Sequence, residues 1–493
     1  MSETIVRPAT ATPAAEGWPD LRDWLRQVDG IGQLRVAKGA DWRFEIGALT
    51  EMTCLHAATP PCLVFDEIQN YPPGWRVVTN ALASDERAAL ILNLPLGRAR
   101  AELIQLWRER AKELRLVPAR EVPDGPILEN VLRGPDIDLY KFPVPLWHEG
   151  DGGRYIGTGD IVVTRDPDSG HINVGTYRLM VMDRDKAGLY ISPGHHGRLH
   201  REKYFERGEP MPVAVAFGMD PLLMLAGSLS LPTTTNEYEW AGAVRGRPVD
   251  VIRGPVTGLP FPANAEVVIE GYVEPGKTMD EGPFGEWTGY YASAQRQETY
   301  VQVEALYHRA DPILLGEPPL KPPGNHWQVM DIIRFGSVWD ALAAAGVPDV
   351  RGIGRLVYGG MGFVVVSIRQ RYSGHAKQAA LVVSQSLATA YLGRYVIVVD
   401  EDIDPYDAGD VLWAMWTRAD PEESVDVIRN CWSSPLDPRI PPEKRARRQF
   451  TNSRLIIDAT RPFHWRDEFP KVVGTSPQDQ AKWREKWGAD FFK

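Results

Sequence analysis

Between about residues 155 and 315 the chain breaks into short β-rich runs, and this stretch constrains the fold more than any other. The runs "YIGTGDIVVTRDP", "INVGTYRLMVMD", "GLYISP", "VDVIRG", "AEVVIEGYVEP" and "TYVQVEALYHR" are parted by clusters of Gly, Pro, Asp and Asn. Short strands at such spacing predict a compact sheet or barrel. One segment, "EPMPVAVAFGMDPLLMLAGSLSL", reads as a strand followed by a helix.

The flanks read differently. "WPDLRDWLRQV", from Trp18 to Val28, has apolar residues at helical spacing after a proline start, and residues 83–116 also read as helical. The proline-rich stretch that follows is extended and places a boundary near residue 120. Beyond about residue 325, "SVWDALAAAG", "AKQAALVVSQSLATAYL" and "AGDVLWAMWTR" read as helices. Between them "RLVYGGMGFVVVSI" reads as a strand pair and "RYVIVVDEDID" as a strand, an α/β layer pattern. At the end, Trp483, Trp487 and Phe491 recur every four residues, so a terminal amphipathic helix needs a surface to dock on. The fold class expected is α/β (α+β). A leader spans 1–17, an N-terminal α/β region 18–120, a central β domain 121–325, a C-terminal α/β oligomerisation domain 326–470 and the docking helix 471–493.

Composition narrows the function. The net charge of −10 argues against a general nucleic-acid surface and leaves room for a local basic pocket. Cys54, Cys62 and Cys431 are too few and too scattered for a disulfide framework or a structural zinc site, which points to a reducing compartment. No apolar run approaches the roughly 18 residues of a membrane span. The first residues lack the apolar core of a signal peptide. The expectation is a soluble cytoplasmic protein.

Chemistry concentrates in a few stretches. In "DEGPFGEWTGYY", Glu281 and Glu286 flank Gly282-Pro283-Phe284-Gly285, which suits a type I turn. Two carboxylates brought close by such a turn cannot both ionise freely, a common route to an acid and a base in one site. A solvated surface hairpin fits the same residues. In "INVGTYRLMV", Arg178 sits between Tyr177 and Leu179; drawn inward, it needs an acidic partner, and left at the rim it is an ordinary surface ion pair. "ISPGHHGRLH" carries His195, His196 and His200, and "NEYEWAGA" carries Glu237 and Glu239. Histidine, carboxylate and an amide oxygen suit a divalent ion with mixed N/O ligands. Each alone also reads as a structural residue, and no HExxH pattern supports zinc.

Taken in order, Asn173 and Arg178 in "NVGTYR", His195 after "ISPG", Glu237 before "YEWAGA", and "EGPFGE" resemble the UbiD family of reversible decarboxylases, over about residues 20–490. "RDWLRQVDG" and "DEDIDPYDAGDVLWAMWTR" strengthen the likeness. The resemblance implies a central split β-barrel that binds prenylated FMN, with its phosphate tied through Mn²⁺ or Mg²⁺ and K⁺ nearby. The metal ligands would be Asn173, His195 and Glu237, with His196 less favoured and Glu239 two residues beyond the matching position. Arg178, Glu281 and Glu286 would be catalytic, with Glu286 the proton donor and Arg178–Glu281 a charged pair. Thr176 and the segment from Ala226 through Ser228 to Leu229 would touch the cofactor or K⁺.

The segment "GEPPLKPPGNHWQVMDIIRF", with "YSGHAKQAA" and "WSSPLDPRI", is similar to the branch acting on hydroxybenzoates or on furan and pyrrole carboxylates. There His326, Arg334, Lys377 and Leu436 are pocket candidates, Arg334 as the holder of a second carboxylate. His326 packed on Trp327, Arg334 on a helix surface and Lys377 at a helix start are the plain alternatives. The implied partners are a small aromatic or heteroaromatic acid, CO₂, a flavin prenyltransferase as cofactor supplier, and copies of the chain itself in a homodimer or a homohexamer built from dimers. A carboxylase subunit working in reverse within a larger complex, and a flavin- or metal-binding assembly factor without chemistry, are the competing readings.

Overall fold

The computed structural model describes residues 19–291, 294–324, 327–488 and 491, so the leader expected over 1–17 lies outside it. The first helix runs Leu21–Gly30. Asp20 caps it by accepting from the Asp23 amide at 2.7 Å, and Asp23 reciprocates at 3.2 Å. Its Leu21, Trp24, Leu25 and Val28, spaced three and four apart, form the buried stripe. The helical stretch expected over 83–116 is two helices, Asp85–Ile91 and Arg100–Glu113.

The N-terminal sheet has four strands in the order Leu34–Lys38, Cys62–Asp66, Arg76–Thr79 and Ile313–Leu315. The last of these comes from far down the chain and pairs in parallel with Arg76–Thr79. Two residues on, fully buried Glu317 takes the Ala81 amide on Oε1 at 2.8 Å, while its own N–H donates to Thr158 Oγ1 at 3.1 Å. Glu317 thus pins the N-terminal sheet to the central domain. Burial pushes its carboxyl up to about 8.

The central domain is a nine-stranded, curled antiparallel sheet. Its path runs Arg154–Gly157, Arg178–Asp183, Lys186–Tyr190, Arg296–His308, Val267–Glu281, Met211–Phe217, Asp160–Arg165 and Ile172–Gly175, with Asn130–Arg133 added beside Arg296–His308. The two ends of the path do not pair, so the barrel is split. Strand periodicity sorts its residues. Val213 and Val215 face one apolar cluster with Tyr155, Leu179 and Ile269, while Ala214 and Ala216 face another shared with the surrounding helices.

Two strands are far longer than their apolar patterns imply. Val267–Glu281 continues for 15 residues through the polar "EPGKTMDE", and its partner Arg296–His308 has 13. The extension is exposed along most of its length, so no alternation betrays it in the sequence, and it delivers Glu281 to the strand end.

The C-terminal sheet has the order Val350–Gly354, Phe363–Ile368, Tyr395–Asp400, Thr451–Ala459 and Val425–Trp432, parallel at its centre. The strand pair expected within "RLVYGGMGFVVVSI" is corrected: a 3₁₀ segment over Val357–Gly362 precedes the single strand Phe363–Ile368. The helix His375–Gln385 packs on this sheet and buries the face that carries Ala376, Ala379, Ala380 and Val383. The last helix, Pro477–Trp487, stops where Gly488 adopts φ 77, so Phe491 lies past it rather than on it. Trp483, Trp487 and Phe491 are all exposed. Cys54, Cys62 and Cys431 are buried and unbridged. No described helix is long and apolar enough to cross a membrane.

Candidate active site

The long hairpin and its neighbours bring three of the expected residues together. Arg178 opens the strand Arg178–Asp183, and Glu281 closes Val267–Glu281. The guanidinium lies fork-on with one carboxylate and reaches a second. Nε donates to Glu281 Oε1 at 2.9 Å, Nη2 to Glu281 Oε2 at 3.0 Å and Nη1 to Glu286 Oε1 at 3.1 Å. Tyr155 donates its hydroxyl to Glu281 Oε1 at 2.9 Å. Glu281 accepts on both oxygens, the pattern of a carboxylate. The surface-hairpin reading fails, because the Glu281 and Glu286 side chains are only 1% and 12% exposed.

The link between the glutamates is not the type I turn expected. Gly282 leaves the strand at φ 86, a conformation that glycine adopts at little cost, and the Gly282–Pro283 peptide is cis. Gly152 packs so close that a Cβ there would stand 2.0 Å from the Gly282 oxygen, and its N–H donates to Pro283 O at 2.8 Å. Phe284 turns inward and stacks on Tyr155, with ring centroids 3.8 Å apart. The apolar residue in mid-turn thus fills the gap behind Glu281 and holds the phenol that serves it.

Burial is the main influence on Glu286 and raises its pKa above the ordinary 4.5, while Arg178 and then Arg296 pull it back down. These surroundings favour the protonated form more than those of a free glutamate do.

A second group forms around Tyr177. Asn173 donates Nδ2 to the Tyr177 hydroxyl at 3.3 Å, and the His195 ring stands edge-on to the Tyr177 ring with centroids 5.8 Å apart. Glu237, the first residue of helix Glu237–Arg245, accepts the Val174 amide on Oε2 at 2.9 Å. Burial lifts this carboxyl to about 7, and no basic side chain offsets it among the described residues. His195 caps helix His196–Glu206 and is accessible, yet its recess, with His196, lowers its pKa and keeps the imidazole neutral. A buried carboxylate without a cation, a neutral imidazole and an amide whose Oδ1 is left to accept fit a hard or borderline divalent ion. Among the described residues no three His, Cys, Asp or Glu cluster, so the set depends on the asparagine. His200 stands behind this group. Burial lowers its pKa to about 4, and its ring bonds Thr164 Oγ1 at 3.0 Å on the far side of Asn173.

Thr176 lies against the end of helix Pro221–Ser228. Its N–H donates to Gly227 O at 3.0 Å and its Oγ1 to Met224 O at 3.2 Å, and Ser228 Oγ is 3.2 Å from Thr176 Oγ1. Leu229 follows, partly buried against the same core. Asn173, Thr176 and Arg178 therefore line one continuous stretch between the metal-type group and the acid–arginine cluster.

The pocket candidates divide. His326 lies outside the described residues. Arg334 is not on a helix surface: it is buried, with Nε on Ala388 O at 2.5 Å, Nη2 on Met361 O at 3.4 Å and Nη1 buried without a hydrogen-bond partner among the described residues. Burial lowers its pKa to about 10. Lys377 is corrected, because its ammonium pairs with Asp426 on the edge strand Val425–Trp432 rather than with a site residue. Leu436 bonds through its N–H to Ser434 Oγ at 3.1 Å. Ser434 in turn bonds Tyr391, whose pKa is raised by burial and by the nearby charge of Glu286. Sequence reasoning missed Tyr155, Tyr391 and Arg296. Tyr155 and Arg296 are placed by strand register, and Tyr391 by the meeting of two domains.

The chain matches the three consecutive parts of the 3-octaprenyl-4-hydroxybenzoate carboxy-lyase family: the N-terminal domain over residues 27–107, the Rift-related domain over 120–322 and the C-terminal domain over 328–459. It is 32% identical over 486 residues to phenolic acid decarboxylase of Escherichia coli O157:H7, across 95% of this chain and 97% of that protein. It is 31% identical over 458 residues to pyrrole-2-carboxylic acid decarboxylase of Pseudomonas aeruginosa, across 90% and 91%. The UbiD-class enzyme HmfF from Pelotomaculum thermopropionicum, solved in complex with FMN, superposes with a TM-score of 0.82 at 30% identity, over 95% of this chain and 100% of that one. An evolved dimeric form of HmfF in complex with prFMN superposes at 0.78 with 28% identity, over 94% and 98%. The expected order of motifs, the split barrel and these full-length likenesses agree, and the chain belongs to the UbiD family of carboxy-lyases.

Proposed function

We propose that this protein catalyses reversible, non-oxidative decarboxylation of an aromatic or heteroaromatic carboxylic acid with prenylated FMN. The observation that carries the reading is the three-bond fork of Arg178 on Glu281 and Glu286, with Glu286 in surroundings that favour its protonated form. Bound prenylated FMN supplies the electron sink for the carbanion left as CO₂ departs. Glu286 delivers its proton to the carbon that CO₂ vacates and is left as a carboxylate facing Arg178 Nη1. The arginine then bridges two carboxylates, so the ionised product state of Glu286 is stabilised without moving the Glu281 side of the fork. In the carboxylation direction Glu286 removes the same proton.

Asn173, His195 and Glu237 would hold Mn²⁺ or Mg²⁺ for the cofactor phosphate, and Thr176, Ser228 and Leu229 would line the cofactor and its K⁺. Both the phenolic acid and pyrrole-2-carboxylic acid decarboxylases among the relatives support a small ring acid as substrate. Leu436 stands on the side of the cluster occupied by Tyr391. The unpartnered Nη1 of Arg334 is a donor suited to a second anionic substituent on the ring.

The test is co-expression with a flavin prenyltransferase and a panel of hydroxybenzoates, furoate, pyrrole-2-carboxylate and dicarboxylates, scored by CO₂ release. Release from at least one acid, lost in Glu286→Gln at equal flavin content, is the expected result. A flavin-loaded protein that turns over none of them refutes the reading and favours a non-catalytic binding role.

A further inference from the structure

A second arginine stands in the acid–arginine cluster, and no motif announces it. Arg296 is the first residue of Arg296–His308 and the cross-strand partner of Glu281 in the hairpin register. Its Nη2 lies 3.3 Å from Glu281 Oε2, on the oxygen that also accepts Arg178 Nη2. Its guanidinium carbon is 3.7 Å from the centroid of the Tyr190 ring, and that of Arg178 is 4.5 Å from the same ring. Tyr190 is in turn the cross-strand partner of Arg178. Two guanidiniums thus share one carboxylate and one aromatic ring. Nε and Nη2 of Arg296 are buried and neither makes a hydrogen bond among the described residues, although the side chain as a whole is 29% exposed. Arg296 therefore contributes charge rather than a directed fork.

Glu281, Glu286, Arg178 and Arg296 form the cluster, with the phenols of Tyr155, Tyr190 and Tyr391 at its edges; burial raises the pKa of Tyr155 and Tyr391. Glu298, 3.9 Å from Arg296 Nε, is matched by Arg201 at 3.2 Å and adds no net charge. With Glu286 protonated, two arginines against Glu281 leave one positive charge. The carboxylate of a monoanionic acid cancels it. When CO₂ has left and the Glu286 proton has moved to carbon, Glu286 is an anion and the four groups sum to zero. Without Arg296 the same step would end with an unbalanced negative charge in a mostly buried site, which is costly.

We propose that Arg296 is a positioning residue that acts through Glu281: it supplies the second positive charge that matches the carboxylate of the substrate before proton delivery and balances Glu286 after it. The inference rests on the decarboxylase reading for its purpose, but the electrostatic coupling can be measured without turnover. Glutamate carrying ¹³C in its side-chain carboxyl is incorporated into the flavin-free protein. The Glu286 signal is assigned by its loss in Glu286→Gln and titrated in the wild type, Arg296→Gln and Arg296→Lys. Arg296→Gln should raise the Glu286 midpoint by about one pH unit, and Arg296→Lys should restore it to within about 0.3 unit.

In flavin-loaded protein, benzoate should bind about tenfold more weakly to Arg296→Gln, whereas uncharged benzamide binds as before. An unchanged midpoint together with an unchanged benzoate affinity overturns the proposal. So does an Arg296→Lys variant as impaired as the glutamine one, which would mark a packing role on Tyr190. If Arg296→Gln does not fold, Arg296→Met, which removes the charge and keeps a long side chain against Tyr190, takes its place under the same criteria. A midpoint shift with no CO₂ from any acid would sink the decarboxylase reading and leave the coupling standing. CO₂ release without the shift would sink the coupling alone.

Discussion

Arg178→Lys separates the geometry of the fork from its charge. The arginine donates three charge-assisted bonds, at 2.9, 3.0 and 3.1 Å, to two carboxylates, and its side chain is 10% exposed. A lysine ammonium is a point donor on a flexible stem and satisfies one oxygen where the guanidinium satisfies three. Two bonds are lost, each worth about 1.5–3 kcal/mol. Tyr155 and Arg296 still face Glu281, and the retained charge spares the penalty of an unpaired buried carboxylate, so the low end, about 3 kcal/mol, applies. If the loss falls on the transition state, about 3 kcal/mol corresponds to roughly a 150-fold fall in kcat/KM. The assay is CO₂ release under single-turnover conditions with the best acid of the panel, at flavin content matched by absorbance and with thermal unfolding run in parallel. Activity within threefold of the wild type at equal flavin content would refute the argument that orientation by the fork, and not charge alone, prepares Glu286.

Glu286 must be protonated to act and its pKa is raised above 4.5, so the decarboxylation rate should hold on the acid side and fall as pH rises through the raised value; a rate that climbs through that window contradicts the donor role. Glu317 is held at about 8 in the folded protein against an ordinary 4.5, so its stabilising effect is complete below about 4.5 and is lost as pH rises toward 8, at no more than about 1.4 kcal/mol per pH unit. Urea unfolding at a series of pH values should show this slope in the wild type and not in Glu317→Gln. Glu237→Gln removes the one carboxylate of the Asn173–His195–Glu237 set and should abolish tight Mn²⁺ binding, read by electron paramagnetic resonance of the free ion; unchanged binding would place the ion elsewhere. Cutting the chain after residue 474 removes the exposed Trp483, Trp487 and Phe491 and should lower the oligomeric mass in light scattering if that helix docks on a neighbouring copy.

The sequence made parts of this site legible for a definite reason. Arg178, Glu281 and Glu286 sit in compact motifs whose glycines and proline have geometric work: Gly282 must adopt φ 86, and Phe284 must turn under the loop onto Tyr155. Tyr155 and Arg296 carry no such local signature. Their places follow from which strands pair and in what register, and Glu281 reaches Arg296 only because the hairpin runs on through a polar, exposed extension. Arg334 and Lys377 show the opposite limit. Both stand in motif-like surroundings, yet one turns into the protein to meet backbone carbonyls and the other closes an ion pair with Asp426, because side-chain direction on a helix depends on what the helix packs against. The α/β alternation of the C-terminal region survived because its buried parallel strands are continuous apolar runs, as in Tyr395–Asp400.

The strand Ile313–Leu315 also sets an order of assembly. It completes the sheet begun by Leu34–Lys38, Cys62–Asp66 and Arg76–Thr79, so more than two hundred residues must be synthesised before the first sheet of the chain can close. Until then Arg76–Thr79 presents an open edge to any other strand. A fragment ending near residue 120 would emerge from the ribosome with that edge bare, and the seam that Glu317 fastens would have nothing to fasten. The nascent N-terminal region is therefore a client of the barrel, and it matures only when the barrel has been made.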